Sequence, residues 1–372
     1  MTEEHKSVGN RLYFMNDKNI RDGLTAQRVK SEHLITFLAK KGIYVAQDSS
    51  KLRLIDMVQT MRFDHADYLY ISSLLENPDR RDNQSTTELP ADFNVGKVNT
   101  ALTAVTTKLQ SKEVGIKVKA SGKKVMVEAS YVDTDFSKAP MRQRTPKTAL
   151  IEIDVSGSKD TSIRFPANEM GKELRDLIVS EMNKQLTQSV KPIEIDFEHH
   201  PHELRTKFFT KLLSLDDYQI FDVINVNVRN ARGDNEENDV ASQLRHVALS
   251  GKNLLTSNIY QSLAQNKYNI YRMSWKVRKA VTIKVDPKDA SKDVFSFDMS
   301  DCFTIEAKFD DKERSKGFNY KVKAVHRYNK SKGVLNVTTG QLNNHEVDEL
   351  SKLLVKSATA AFVELTSDKG EE

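Results

Sequence analysis

VGIKVKASGKKVMVEASY, residues 114–131, decides the fold class. Residues 114–120 and 125–131 each alternate apolar and polar side chains, the period of a half-buried strand. Between them Ser121-Gly122-Lys123-Lys124 supplies turn chemistry, so the stretch predicts a β-hairpin. Residues 149–155 and 161–165 repeat the pattern around Ser156-Gly157-Ser158-Lys159-Asp160, and Pro166 ends it. Asn168 then opens a helix expected over 169–188, with Leu174, Leu177, Ile178 and Met182 on one face. Antiparallel hairpins followed by a packing helix give an α+β fold.

The C-terminal part echoes this plan. Residues 302–309, 319–325 and 334–338 read as strands, and 346–363 as a helix. Lys321-Val322-Lys323-Ala324 matches Lys117-Val118-Lys119-Ala120. The run from Asp348 to Val355 likewise resembles that from Lys172 to Val179. A degenerate duplication of hairpins plus helix and a chance likeness of two amphipathic helices both account for this. The middle mixes strands (193–197, 220–228, 268–276, 280–285) with helices (204–215, 240–264) around a polar loop at 230–239. Residues 97–111 read as a helix, and 133–148 as a long basic loop. Residues 77–94 carry turn and breaker residues, including Pro78 and Pro90, and read as a linker. The expected organisation is a helical module over 1–76, a linker over 77–95 and an α+β subdomain over 96–190. A mixed middle over 191–285 and a β-hairpin plus C-terminal helix over 286–372 complete it.

The N-terminal module is read from its spacing. Thr25 is the expected N-cap of a helix carrying Val29, Leu34, Ile35 and Leu38 on one face, with Lys40 and Lys41 in its last turn before Gly42. After Asp48-Ser49-Ser50 a second helix carries Leu52, Ile55, Val58 and Met61, and a third is expected over 64–75. Helix, Lys-Lys-Gly-Ile, a short loop and Ser-Ser-Lys-Leu-Arg-Leu-Ile-Asp-Met-Val resembles the SAP-type helix–extended loop–helix motif. That resemblance covers roughly a tenth of the chain and implies DNA binding. It implies a small core of Leu34, Leu38, Ile43, Leu54 and Val58, with Lys51 and Arg53 near phosphate. Ser50 stands where the motif usually has a loop glycine.

Composition narrows the classes. Lys and Arg number 57 against 52 Asp and Glu, a net charge of +5 that permits nucleic-acid contact without demanding it. The basic residues concentrate over 108–147 and 312–332. No apolar run approaches the roughly 20 residues of a membrane helix, and the first residues lack a signal peptide's apolar stretch. A cytoplasmic or nucleoid-associated protein with no membrane partner is expected. The single cysteine, Cys302, excludes an intramolecular disulfide and a cysteine-built zinc site. With 14 glycines and no phosphate-loop, dinucleotide or nucleophile-elbow motif, no cofactor is expected.

Three functions follow. The first is a non-catalytic DNA-binding protein, a subunit or adaptor of a DNA-processing or defence assembly. Its contacts to duplex DNA would be Lys40, Lys41, Lys51 and Arg53 in the module, with Lys123, Lys124, Arg142 and Arg144 in the body. Tyr131 and Phe136 would stack on bases. The second is a metal-dependent nuclease of restriction type. Asp298 and Glu306 would hold Mg²⁺ and Lys308 would polarise the attacking water or the phosphate. The third is a protein-interaction scaffold without nucleic acid, with a protein partner or a second copy of the chain. His199, His200 and His202 cluster, but Pro201 breaks the spacing a metal-binding helix needs.

Overall fold

The computed structural model describes residues 17–26, 29–75, 82–112, 114–137, 143–157, 160–201, 203–230, 246–251, 254, 257, 268–283 and 294–367. These form eight α-helices and an antiparallel ten-stranded sheet, an α+β fold. No helix among the described residues is long and apolar enough to cross a membrane. Two units are distinguished. One comprises Met1–Arg81, Thr106–Lys117 and Glu128–Ala149; the other comprises Asp82–Val105, Val118–Val127 and Leu150–Glu372.

The first unit holds four helices: α1 (Asp17–Leu24), α2 (Ser31–Lys40), α3 (Lys51–Gln59) and α4 (His65–Leu75). Leu24, Leu34, Leu38, Leu54, Val58 and Ile71 are fully buried together, with Ile43 partly buried beside them. Contrary to the expectation from spacing, Thr25 does not cap α2. Its N–H donates to the Arg21 carbonyl and its hydroxyl to the Asp22 carbonyl, closing the preceding α1. That helix escapes a periodicity reading because Ile20 and Leu24 are its only large apolar residues. Gly42 follows α2 at φ +78°. Its N–H donates to the Ala39 carbonyl and that of Ile43 to the Leu38 carbonyl, the two bonds of a Schellman motif. Ser50 caps α3: its backbone is extended (φ −63°, ψ 143°) and its Oγ accepts the Arg53 N–H. An extended N-cap suits any L residue, so no glycine is required there.

The strands of the large sheet are β1 (Gln84–Leu89), β2 (Gly115–Ser121), β3 (Lys124–Thr134), β4 (Arg144–Asp154), β5 (Thr161–Pro166), β6 (Tyr218–Asn230), β7 (His246–Ser250), β8 (Tyr268–Lys279), β11 (Cys302–Asp311) and β12 (Lys316–His326). Their order across the sheet is β2-β3-β4-β5-β1-β12-β11-β8-β6-β7. Two small ribbons stand apart, β9 (Val281–Ile283) with β10 (Val294–Ser296) and β13 (Tyr328–Asn329) with β14 (Val334–Leu335).

Several expectations are corrected. Residues 84–89, read as linker, form β1 between β5 and β12. The sequence QSTTEL conceals this because its polar side chains are answered from both sheet faces. Thr86 meets the Tyr320 hydroxyl at 3.0 Å, and Thr87 accepts from Arg175 at 3.1 Å. In the basic loop expected over 133–148, residues 133–134 end β3 and 144–148 begin β4, an Asp135 N–H bond to the Gln143 carbonyl extends their pairing, and residues 138–142 lie outside the described residues. Residues 193–197 make one isolated bridge, Ile193 to Glu88, instead of a strand. Within the helix expected over 240–264, residues 246–250 are β7 instead, paired to β6. Most of the remainder lies outside the described residues, as does the loop read at 230–239 apart from Asn230, which ends β6.

Helices cover opposite faces of this sheet. The α5 helix (Val95–Leu109) precedes β2, and α6 (Glu169–Asn183) follows β5. Arg175 of α6 lies over the Phe165 ring and bonds Thr87, so α6 sits on the face bearing these residues. The α6 helix stops five residues before its expected end, where the Asn183 side chain bonds both the N–H and the carbonyl of Val190. The α7 helix (Glu203–Lys211) and α8 (Asn344–Ser367) share the other face. There Phe197, Phe208, Phe209, Phe309 and Phe318 interlock, and Leu350, Leu354 and Ala358 of α8 join Ile305, Ala307 and Val322 in one core.

The start of α6 is held very close to the end of β5. A Cβ added at Gly171 would lie 2.0 Å from the Pro166 carbonyl oxygen. In an ordinary helix Gly→Ala stabilises. Here the obstacle is backbone, so Gly171→Ala is expected to destabilise the protein by about 1–3 kcal/mol. Denaturant midpoints at unchanged slope measure this, and a neutral or stabilised variant would refute the close approach.

Candidate nucleic-acid interface

Strand alternation gives β8, β11 and β12 one apolar and one polar face. Met273, Trp275, Val277, Ile305, Ala307, Tyr320 and Val322 enter the core shared with α7 and α8. The intervening residues face the other way. Arg272, Ser274, Lys276 and Arg278 stand on β8, opposite Lys308, Glu306, Thr304 and Cys302 of β11. On β12, Lys321 lies opposite Glu306, and a bulge at Thr304/Ile305 leaves Lys323 as an extra residue. Lys323 reaches the same face, its Nζ 3.0 Å from Glu306.

With Lys172 of α6 at its border, this face carries seven cations: Lys172, Arg272, Lys276, Arg278, Lys308, Lys321 and Lys323. Asp222, Asp298, Glu306 and Asp310 oppose them, a formal surplus of three positive charges. At three strand spacings of roughly 4.8 Å and about six residues of length, the patch measures on the order of 15 by 20 Å. Ser274, Thr304 and Glu306 are buried at its base, while the Arg272 and Lys323 side chains remain about 40% exposed, at 39% and 41%.

Glu306 organises the centre. Its Oε2 accepts from Arg272 (2.8 Å), Ser274 (3.0 Å) and Lys323 (3.0 Å). Burial pushes its carboxyl up, but the bonds from Arg272 and Lys323 outweigh this and hold it below the usual glutamate range. Arg278 stacks over Phe221 at 4.5 Å and bonds Asp298 at 3.3 Å. Cys302 is buried, which pushes its thiol up and away from nucleophilic use.

The residues expected to act fall into different settings. Lys40 lies over the Tyr70 ring at 4.3 Å. Lys41 pairs with Asp67 (2.6 Å) and Asp64 (3.5 Å), which raise its pKa. Lys51 donates to the carbonyls of Ala26 (2.9 Å) and Thr25 (3.4 Å). Arg53 is exposed and has no ion pair among the described residues. Lys123 is exposed at the β2–β3 tip. Its neighbour Lys124 pairs with Glu152 (2.7 Å) and Asp154 (3.8 Å). Arg144 opens β4, and Arg142 lies outside the described residues.

The nuclease set does not assemble around Glu306. Asp298 is on an exposed turn bonding Arg278, Lys308 bonds Asp310 at 3.2 Å, and Glu306 is neutralised by two cations. Among the described residues no three His, Cys, Asp or Glu side chains gather as metal ligands. His199 is exposed, His200 edges onto Phe197 and Phe362, and His202 lies outside the described residues. The cationic row on β8 escaped a reading for motifs. Its signal was the two-residue spacing in YRMSWKVRK, residues 271–279, where outward cations alternate with core residues.

A depressed folded-state pKa means that the ionised carboxylate of Glu306 stabilises above its unfolded pKa, roughly 4.3, and that this stability is lost as pH falls through the folded value. Glu306→Gln is therefore expected to cost about 1–3 kcal/mol at pH 7, with the difference from the parent protein shrinking towards pH 3. Urea unfolding of both proteins across that range checks it, and a pH-independent difference would contradict the assignment.

No protein-family model matches this chain, and no curated protein matches its sequence.

Proposed function

We propose that the protein is a non-catalytic nucleic-acid-binding protein whose principal contact is the cationic face of β8, β11 and β12. The observation that carries this reading is the density of cations on a sheet face whose covering helices, α7 and α8, lie on the other side. Such a surface meets a phosphate backbone and gives affinity without sequence reading. Duplex DNA is the favoured form. Single strands are commonly gripped by stacking on exposed aromatics; here Tyr271 is buried, and the half-exposed Phe221 already stacks with Arg278.

The SAP-type resemblance supports a second contact, carried by Arg53 and Lys40. Lys41 and Lys51 count for less, because each ammonium is bound by its own chain. The nuclease reading has weaker support, since Glu306 already answers Arg272 and Lys323. A role as subunit or adaptor of a DNA-processing assembly accords with binding that reads no sequence.

The test is duplex binding by the full chain across a salt series. Replacing Lys276, Lys308 and Lys321 together by Gln is expected to weaken binding at least tenfold. It should also lower the slope of log K against log salt by roughly 0.9 for each phosphate no longer neutralised. Replacing Lys40 and Arg53 should have a smaller effect of the same kind. Absence of binding, or an unchanged slope in the triple variant, would overturn the reading. Incubation with Mg²⁺ is expected to leave the DNA intact.

A further inference from the structure

On the opposite face of the sheet, α8 lies over the polar sides of β1, β4 and β5 and borders an open cavity of about 520 Å³. That volume falls among small-molecule sites, roughly 300–1,000 Å³. Its charged groups, together with Lys124 beside them, can be paired off. Arg164 is bound by Glu152 and Asp348. Lys124 is bound by Glu152 and Asp154, Lys352 by Asp348 (2.8 Å) and Lys356 by Asp216 (2.9 Å). Every one of these cations is answered by a carboxylate of the same unit.

Two carboxylates in the wall are left over. Glu88 accepts the Thr359 hydroxyl at 3.3 Å and has no cation partner among the described residues; neither has Asp160. They stand at one end of the cavity, because Glu88 pairs with Ser162 in β5 and Asp160 precedes that strand. Burial and the nearby charge of Asp160 push the Glu88 carboxyl up. The aliphatic side chains of Val355 and Ala360 line the wall on α8. An anion finds no unanswered cation there, and a metal ion finds no three-ligand group among the described residues. A half-buried carboxylate without a counter-charge is costly unless a ligand supplies one.

We propose that this cavity binds an aliphatic diamine, its ammonium groups on Glu88 and Asp160 and its methylenes along Val355 and Ala360. The two positive charges match the two lining carboxylates left without a cation among the described residues, and the site is independent of the nucleic-acid face.

Isothermal titration of the full chain, free of nucleic acid, tests this with 1,4-diaminobutane as the probe. Butane-1,4-diol and inorganic phosphate serve as comparators. Saturable binding of the diamine alone is expected, weakened at least tenfold in Glu88→Gln and in Asp160→Asn. Asp160 is exposed just before β5, so its variant carries the test should Glu88→Gln fail to fold. The triple lysine variant of the sheet face is expected to bind the diamine normally, which separates this site from the DNA reading. No saturable diamine binding, binding unchanged in Asp160→Asn, or a preference for the diol or phosphate would overturn the proposal.

Discussion

The seam between β1 and β12 is the constraint on which the sheet depends. Six residue pairs join β1 to β5, but only Gln84 and Tyr320 pair in register across to β12. A backbone ladder that short leaves the joint to side chains. Asn83 bonds Asn319 at 2.7 Å, the Ser85 hydroxyl donates to the Phe318 carbonyl at 2.8 Å, and Thr86 meets the Tyr320 hydroxyl. Buried hydrogen bonds of this kind are modest individually, about 1 kcal/mol each, and expensive to leave unmade. The polar character of β1 is therefore a structural requirement of its place between two hairpins.

That seam also determines what each sheet face can do. The hairpin of β4 and β5 and that of β11 and β12 flank β1, and their following helices, α6 and α8, lie on opposite faces. Where α6 covers β5, the apolar side of that strand is inward and its polar side faces α8, which produces the cavity. Where α7 and α8 cover β8, β11 and β12, the apolar sides turn towards them and the cations turn outward. The same alternation, with the covering helix on the other side, yields a polar cavity on one side of the β1–β12 seam and a charged surface on the other.

Much of this plan was legible in the sequence. The hairpin at 114–131, the strand at 268–276 and the helix beginning at Glu169 follow from side-chain period, because burial on one face imposes that period directly. The core residues Leu34, Leu38 and Val58 were legible for the same reason, whereas Leu54 entered only through the SAP-type resemblance and Leu52, which the period placed on the apolar face, is exposed. What escaped depended on partners distant in sequence. The β1 strand has the composition of a linker and becomes a strand only when Arg175, Tyr320 and Phe318 are brought to it. Ser50 was conspicuous as a missing glycine, whereas its role is to receive the Arg53 N–H. Lys41, Lys51 and Lys124 look like free cations in sequence. Asp67, the Ala26 carbonyl and Glu152 claim them in three dimensions. Glu88 and Asp160 are unremarkable residues until β1 pairs with β5.

The arrangement of charge on β8 and β11 gives the strongest reason to look beyond stability. Lys308 stands directly opposite Arg272, a like-charged cross-strand pair that disfavours the sheet. Glu306 and Asp310 relieve this pair: Arg272 bonds Glu306 and Lys308 bonds Asp310. The Thr304 position opposite Lys276, and the Cys302 position opposite Arg278, hold no acid, so these cations are answered from elsewhere, Lys276 by Asp222 across from it on β6 and Arg278 by Asp298. An acidic residue at either would stabilise the sheet by cross-strand pairing. With Asp222 and Asp298 counted, seven cations still face four carboxylates among the described residues of this face. In the reading proposed above, a polyanion laid across β8, β11 and β12 would supply the remaining counter-charge, and Glu306 keeps Arg272 and Lys323 in place without it.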